Sequence, residues 1–157
     1  MRKRIIEHPQ SDVPVRSDDW LKLEDLAEVE VTSEDPAHLI ESALLPNSGP
    51  GWRAADPGKQ IMRLIFTRPQ RLRRIQLTFQ EATAERTQEY VLRWSGNGGQ
   101  SFQEIVRQQW NFSPEGATAE TEDYTVSISE ANILELSITP DISGRRAFAS
   151  MTQFRVA

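Results

Sequence analysis

The sequence predicts an all-β fold, a jelly-roll β-sandwich of about eight antiparallel strands with one short helix. Three observations carry that reading. Apolar residues alternate in short runs about eight to fifteen residues apart, turn formers cluster between the runs, and nothing resembles the strand–helix alternation of a parallel sheet. The 157 residues suit one domain with a two-layer core.

The stretch from Tyr90 to Phe112 organises the rest. Tyr90, Leu92 and Trp94 fall on alternate positions, Ser-Gly-Asn-Gly-Gly interrupts, and Phe102, Val106, Trp110 and Phe112 resume one parity. Strand side chains point alternately to opposite sides, so this is a β-hairpin with one apolar face. The glycines supply the positive φ that such a turn needs. The parity assigns Tyr90, Trp94, Val106 and Trp110 to the core.

The other elements follow in order. Residues 1–19 read as a flexible N-terminal arm, and 20–157 as a single domain. Glu28 to Ser33 alternates as a strand. Asp35-Pro36 reads as a helix start, with Asp35 as cap and Pro36 at the first helical position, and the helix runs over 37–45 until Pro46 closes it. Ile61–Phe66 and Ile75–Phe79 read as two strands separated by Pro69 and the cluster Arg68, Arg71, Arg73 and Arg74. Tyr124–Ile128 and Ile133–Ile138 are two more, and Phe148, Met151, Phe154 and Val156 lead into a final strand.

Between the helix and Ile61 lies PNSGPGWRAADPGKQ, whose density of turn formers indicates a long, shaped connection. Function concentrates on loops held by a scaffold, so Trp52, Arg53, Asp56 and Lys59 are the candidate ligand-binding residues. The opposing reading has Trp52 plugging the end of the sandwich and Arg53 pairing with Asp56.

Composition narrows the chemistry. The net charge of -5 argues against a general nucleic-acid binder. With no cysteine and two histidines, cysteine nucleophiles and cysteine–histidine zinc clusters are excluded, and no P-loop, dinucleotide fingerprint, HExxH or EF-hand loop occurs. No catalytic residue and no metal ligand set is assigned. Calcium held by loop carboxylates would fall to Asp56 and Asp141. The basic N-terminus lacks the apolar stretch of a signal peptide, no run is long enough to span a membrane, and the absence of cysteine fits a reducing compartment, so a cytoplasmic protein is expected.

The succession GWRAADPGKQIMRLIF, RRIQLTF, RTQEYVLRWSGNGGQSFQEIVRQQWNF, ILELSITPDISG and ASMTQFRV resembles the discoidin or coagulation-factor type C family, and more broadly the galactose-binding-domain-like jelly roll. The match covers roughly 28–157. Its most specific part is the run Tyr90, Leu92, Ser95, Asn97, Gly98 and Phe102. The resemblance implies a non-catalytic binding module with loops at one end of the sandwich taking the ligand, most often carbohydrate. It also implies a structural calcium near Ala43–Gly51, although Leu44-Leu45-Pro46-Asn47 stands where calcium-binding members carry Asp-Gly. No other cofactor is expected, and the partner is a glycan or a protein. The alternatives are an intracellular protein-interaction domain, like the N-terminal domain of a DNA-repair scaffold, and more remotely a glycan-active enzyme with paired carboxylates.

Overall fold

A computed structural model describes residues 19–157. The expected arm, apart from Asp19, lies outside the described residues. In chain order the elements are α1 (Leu23–Leu26), β1 (Ala27–Val31), α2 (Ile40–Leu44), β2 (Trp52–Arg53), β3 (Gln60–Gln80), β4 (Arg86–Ser95), β5 (Gln103–Phe112), β6 (Ala119–Thr139), β7 (Ser150–Met151) and β8 (Gln153–Val156).

Two strands of 21 residues each, β3 and β6, build both layers. Their paired halves Gln60–Ile65 and Ile133–Ile138 sit in one layer, ordered β1-β3-β6-β4-β5. Their other halves, Ile75–Gln80 and Ala119–Tyr124, join β8 to make the second layer. The register slips between Ile65 and Arg74, where Pro69 withholds a backbone donor and the ribbon turns the corner. The sequence reading of separate strands on either side of Pro69 and of Glu130 is therefore corrected. A bulge, unlike a turn, leaves the pairing partners unchanged on both sides.

The core lies between the layers. Met62, Leu64, Leu134, Leu136, Ile138, Tyr90 and Leu92 meet Ile75, Leu77, Phe79, Ile128, Phe154 and Val156, all of them buried. Phe79 and Tyr90 stack across the interface with ring centroids 5.2 Å apart. The hairpin of β4 and β5 does supply a wall of this core, with Tyr90, Leu92 and Phe112 fully buried. Trp94, Val106 and Trp110 pack on it while only partly buried. Phe102 departs from the expected parity. It precedes β5, and its ring turns to the outer face, where the guanidinium carbon of Arg93 lies 4.3 Å from its centroid.

The helix starts later than the sequence implies. Asp35 closes a local turn by accepting the Ala37 N–H at 2.8 Å, and Leu39 stays extended, so α2 has only five residues. The free Ile40 N–H is instead met by the Glu34 carboxylate at 2.9 Å. Trp52 fills the end of the sandwich with 3% of its surface exposed, and its indole N–H donates to the Ser33 carbonyl at 3.0 Å. The plug reading holds for this residue.

Candidate functional site

The loop from Trp52 to Lys59 is fixed from several sides. Arg53 N–H donates to the His38 carbonyl at 3.2 Å, and Asp35 N–H donates to the Arg53 carbonyl at 2.8 Å. On its other flank Ala54 N–H reaches the Ala149 carbonyl at 2.9 Å and Gly58 N–H the Ala147 carbonyl at 3.0 Å. Beneath it the Ser33 hydroxyl donates to Gln60 Oε1 at 2.7 Å and accepts the N–H groups of Ala55 and Asp56 at 3.1 and 3.2 Å. Such satisfaction of a loop backbone makes a rigid platform out of irregular chain. Gly51 is required at its entry: its φ is 107°, and a Cβ there would stand 2.7 Å from the Met151 carbonyl oxygen.

The second rail, 140–149, brings the residues that the sequence reading left in a strand approach. Burial works against the charge of the Asp141 carboxyl, but hydrogen bonds from the Ser143 hydroxyl and N–H and the Arg145 guanidinium outweigh it and hold the pKa below the usual carboxylate range. Arg145 is thereby occupied, with Nε 3.0 Å from the Asp141 carboxylate. Its neighbour Arg146 takes the other direction. The guanidinium carbon of Arg146 lies 5.5 Å from the centroid of the Phe148 ring, and that of Arg53 lies 5.2 Å from the same centroid. Phe148 is half-buried, and both arginines are exposed. Among the described residues, neither Arg53 nor Arg146 has an ion pair with a carboxylate.

The four residues singled out in the sequence are thus separated. Trp52 belongs to the core and offers no face for stacking. Arg53 stands at the Phe148 ring. The exposed Asp56 has its backbone tied to Ser33 and Gln60, and it makes no ion pair with Arg53. Lys59 turns toward the outer face of the larger layer, where it lines a groove with Glu89, Arg93 and Arg107. Sequence reasoning missed Phe148 and Arg146. The available signal was the Arg145-Arg146-Ala147-Phe148 run directly after the turn formers Pro140, Asp141, Ser143 and Gly144.

That outer face carries a second concave region, about 600 Å³, lined in part by Glu30, Arg63, Phe102, Asn132 and Gly99. Its arginine is already committed. Glu135, with 2% of its side chain exposed, accepts Arg63 Nε at 2.8 Å and Arg93 Nε at 2.8 Å. Both guanidiniums lie against Phe102. The arrangement holds the sheet face together and leaves less donor capacity for a ligand than the Phe148 end.

The expected calcium finds no matching ligands. Residues 46–51 contain no carboxylate, and the Ser48 hydroxyl donates to the Glu41 and Leu45 carbonyls at 2.9 and 2.7 Å. Asp141 is already bound to Ser143 and Arg145, and among the described residues no three Asp, Glu or His side chains converge as a metal set. Their side chains do not make up a carboxylate ligand set for calcium.

No protein-family model and no curated protein matches the sequence. Solved structures do match the fold. The family 32 carbohydrate-binding module of C. perfringens NanJ, solved with galactose, superposes with a TM-score of 0.62 at 16% identity, covering 87% of this chain and 96% of that one. A module of the Clostridium perfringens protein CpGH89, solved with GalNAc-β-1,3-galactose, gives 0.61 at 19% identity over 87% of this chain and 98% of its own. The module of AlyQ in complex with 4,5-unsaturated mannuronic acid gives 0.59 at 16% identity over 85% and 95%. The chain therefore shares, along almost its whole described length, the β-sandwich fold of carbohydrate-binding modules.

Proposed function

We propose that this chain is a non-catalytic carbohydrate-binding module whose ligand sits at the loop end, on the exposed side of Phe148. The observation that carries the reading is the partly exposed aromatic ring held between two rigid loop segments with unpaired guanidinium donors beside it. A half-open aromatic ring suits the C–H groups of a sugar, and the guanidinium forks lying over it supply donors for the sugar's hydroxyls. Trp52 acts indirectly, by fixing the loop that carries Arg53. Lys59, in the groove on the outer face of the larger layer, takes no part in this site. The fold shared with modules solved in complex with galactose and GalNAc-β-1,3-galactose supports the same reading.

Isothermal titration against galactose, GalNAc-β-1,3-galactose and longer oligosaccharides tests it. Phe148→Ala is expected to weaken binding at least about tenfold, or about 1.4 kcal/mol, with little change in Tm, because the ring is not part of the closed core. Absence of binding to every saccharide at millimolar concentration would sink the reading.

A further inference from the structure

Resting on that reading, we infer that the preferred ligand is an anionic saccharide, one whose sugar carries a carboxylate or sulfate directed at Arg53 and Arg146. The starting point is an imbalance in how the arginines are used. Elsewhere among the described residues, Arg63 and Arg93 meet Glu135, Arg74 meets Asp123, Arg86 meets Glu81, Arg107 meets Glu89 and Glu104, and Arg145 meets Asp141, while Arg68, Arg71 and Arg73 have neither a carboxylate nor an aromatic ring beside them. In a chain of net charge -5, acids are plentiful enough to do the same at the Phe148 ring. Yet Arg53 and Arg146 face one aromatic ring and no carboxylate.

Acids on the neighbouring segments are directed elsewhere, and the exposed Asp56 makes no ion pair with either arginine. The Asp141 carboxylate is taken by Ser143 and Arg145, and Asp35 accepts from the Ala37 N–H. Glu34 accepts from the Ile40 N–H. Two guanidiniums lying over one half-buried ring make a positive site, and a planar fork is best matched by the paired oxygens of a carboxylate or sulfate. A neutral sugar would offer the two guanidiniums only hydroxyls. A sugar with an anionic substituent would use all three groups at once.

The test compares three probes of equal length by calorimetry: oligogalacturonate, the same oligosaccharide with its carboxylates methyl-esterified, and a sulfated galactan fragment. At least about tenfold tighter binding of either charged probe than of the ester is expected, with the difference shrinking as NaCl is raised from about 50 to about 500 mM. The two charged arms show which substituent is taken. Arg146→Ala should bring the affinity for the acid down to about that for the ester, and Arg68→Ala, in the β3 bend, should leave the preference unchanged. If ester and acid bind equally, the anionic preference is overturned while carbohydrate binding stands. If no probe binds, and neutral galactosides do not bind either, the proposed function fails with it.

Discussion

Replacing Glu120 by Gln should stabilise the protein at neutral pH and flatten its stability profile between acid and neutral. Glu120 stands on β6 opposite Phe79, with 3% of its surface exposed, and neither carboxyl oxygen has a hydrogen-bond partner among the described residues. Burial, and then the charge of neighbouring Glu122, push its pKa from 4.5 up to about 7. The linked hydroxyls of Tyr90 and Tyr124 are nearby, and burial first, then their mutual contact and these glutamates, keep Tyr90 neutral far beyond the ordinary tyrosine range. Between these two values the unfolded chain has released a proton that the folded chain still holds, so the unfolded state binds fewer protons and stability falls as pH rises. Below about pH 4 the carboxyl is neutral in both states, and above about pH 8 the loss is complete. At about 1.4 kcal/mol for each pH unit the total comes to about 3 kcal/mol. Asp123 and Asp141, whose pKa values are lowered, lose stability only on acidification, so they act in a more acid window. Urea unfolding at pH 4, 6 and 8, with the difference taken between wild type and Glu120→Gln, isolates the effect. A difference that does not change with pH would refute the reasoning.

Three further substitutions examine other parts of the structure. Trp52→Ala removes a buried indole and its bond to Ser33, and should cost about 3–5 kcal/mol in chemical denaturation, whereas the exposed Arg53→Ala should cost well under 1 kcal/mol. Gly51→Ala forces a Cβ into the Met151 carbonyl oxygen at a φ of 107°, and should lower stability by about 2 kcal/mol or more, read as a fall in Tm. Glu135→Ala strips the shared partner from Arg63 and Arg93, both still partly solvated, and a loss of about 2 kcal/mol in urea titration is expected. Unchanged stability in that variant would show that water serves the two guanidiniums as well as the carboxylate does.

The sandwich was legible because its signal is periodic. Ile75, Leu77 and Phe79 alternate toward the core just as their spacing requires, whereas Ile61–Phe66 is apolar on both parities and only Met62, Leu64 and Phe66 are buried. What the spacing does not contain is whether a break such as Pro69 ends a strand or bends it, since both outcomes bury the same parity. That depends on a partner, here β6, more than fifty positions away. The site was harder for a different reason. Trp52 and Phe148 are both large aromatics in turn-rich chain, and nothing local distinguishes the one that fills the end of the core from the one left half open. The distinction is set by Ser33, whose carbonyl takes the Trp52 indole while its hydroxyl secures the turn. Arg146 likewise differs from Arg145 only through Asp141, which claims one of two adjacent guanidiniums.

Because β3 and β6 pass without interruption from one layer to the other, the two halves of the sandwich are joined by continuous backbone as well as by contact. Closing that long-range pairing carries a large loop-entropy cost before its contacts are gained, which favours slow, all-or-none folding. A state with one layer formed and the other open would have to break β3 and β6 at their corners. Native-state amide exchange at Leu64 and Leu77, in different layers, should therefore occur through a single global opening. The loop end that carries Phe148 is tied to this unit only through its rails, so ligand binding there should raise the free energy of whole-molecule unfolding without creating a second transition.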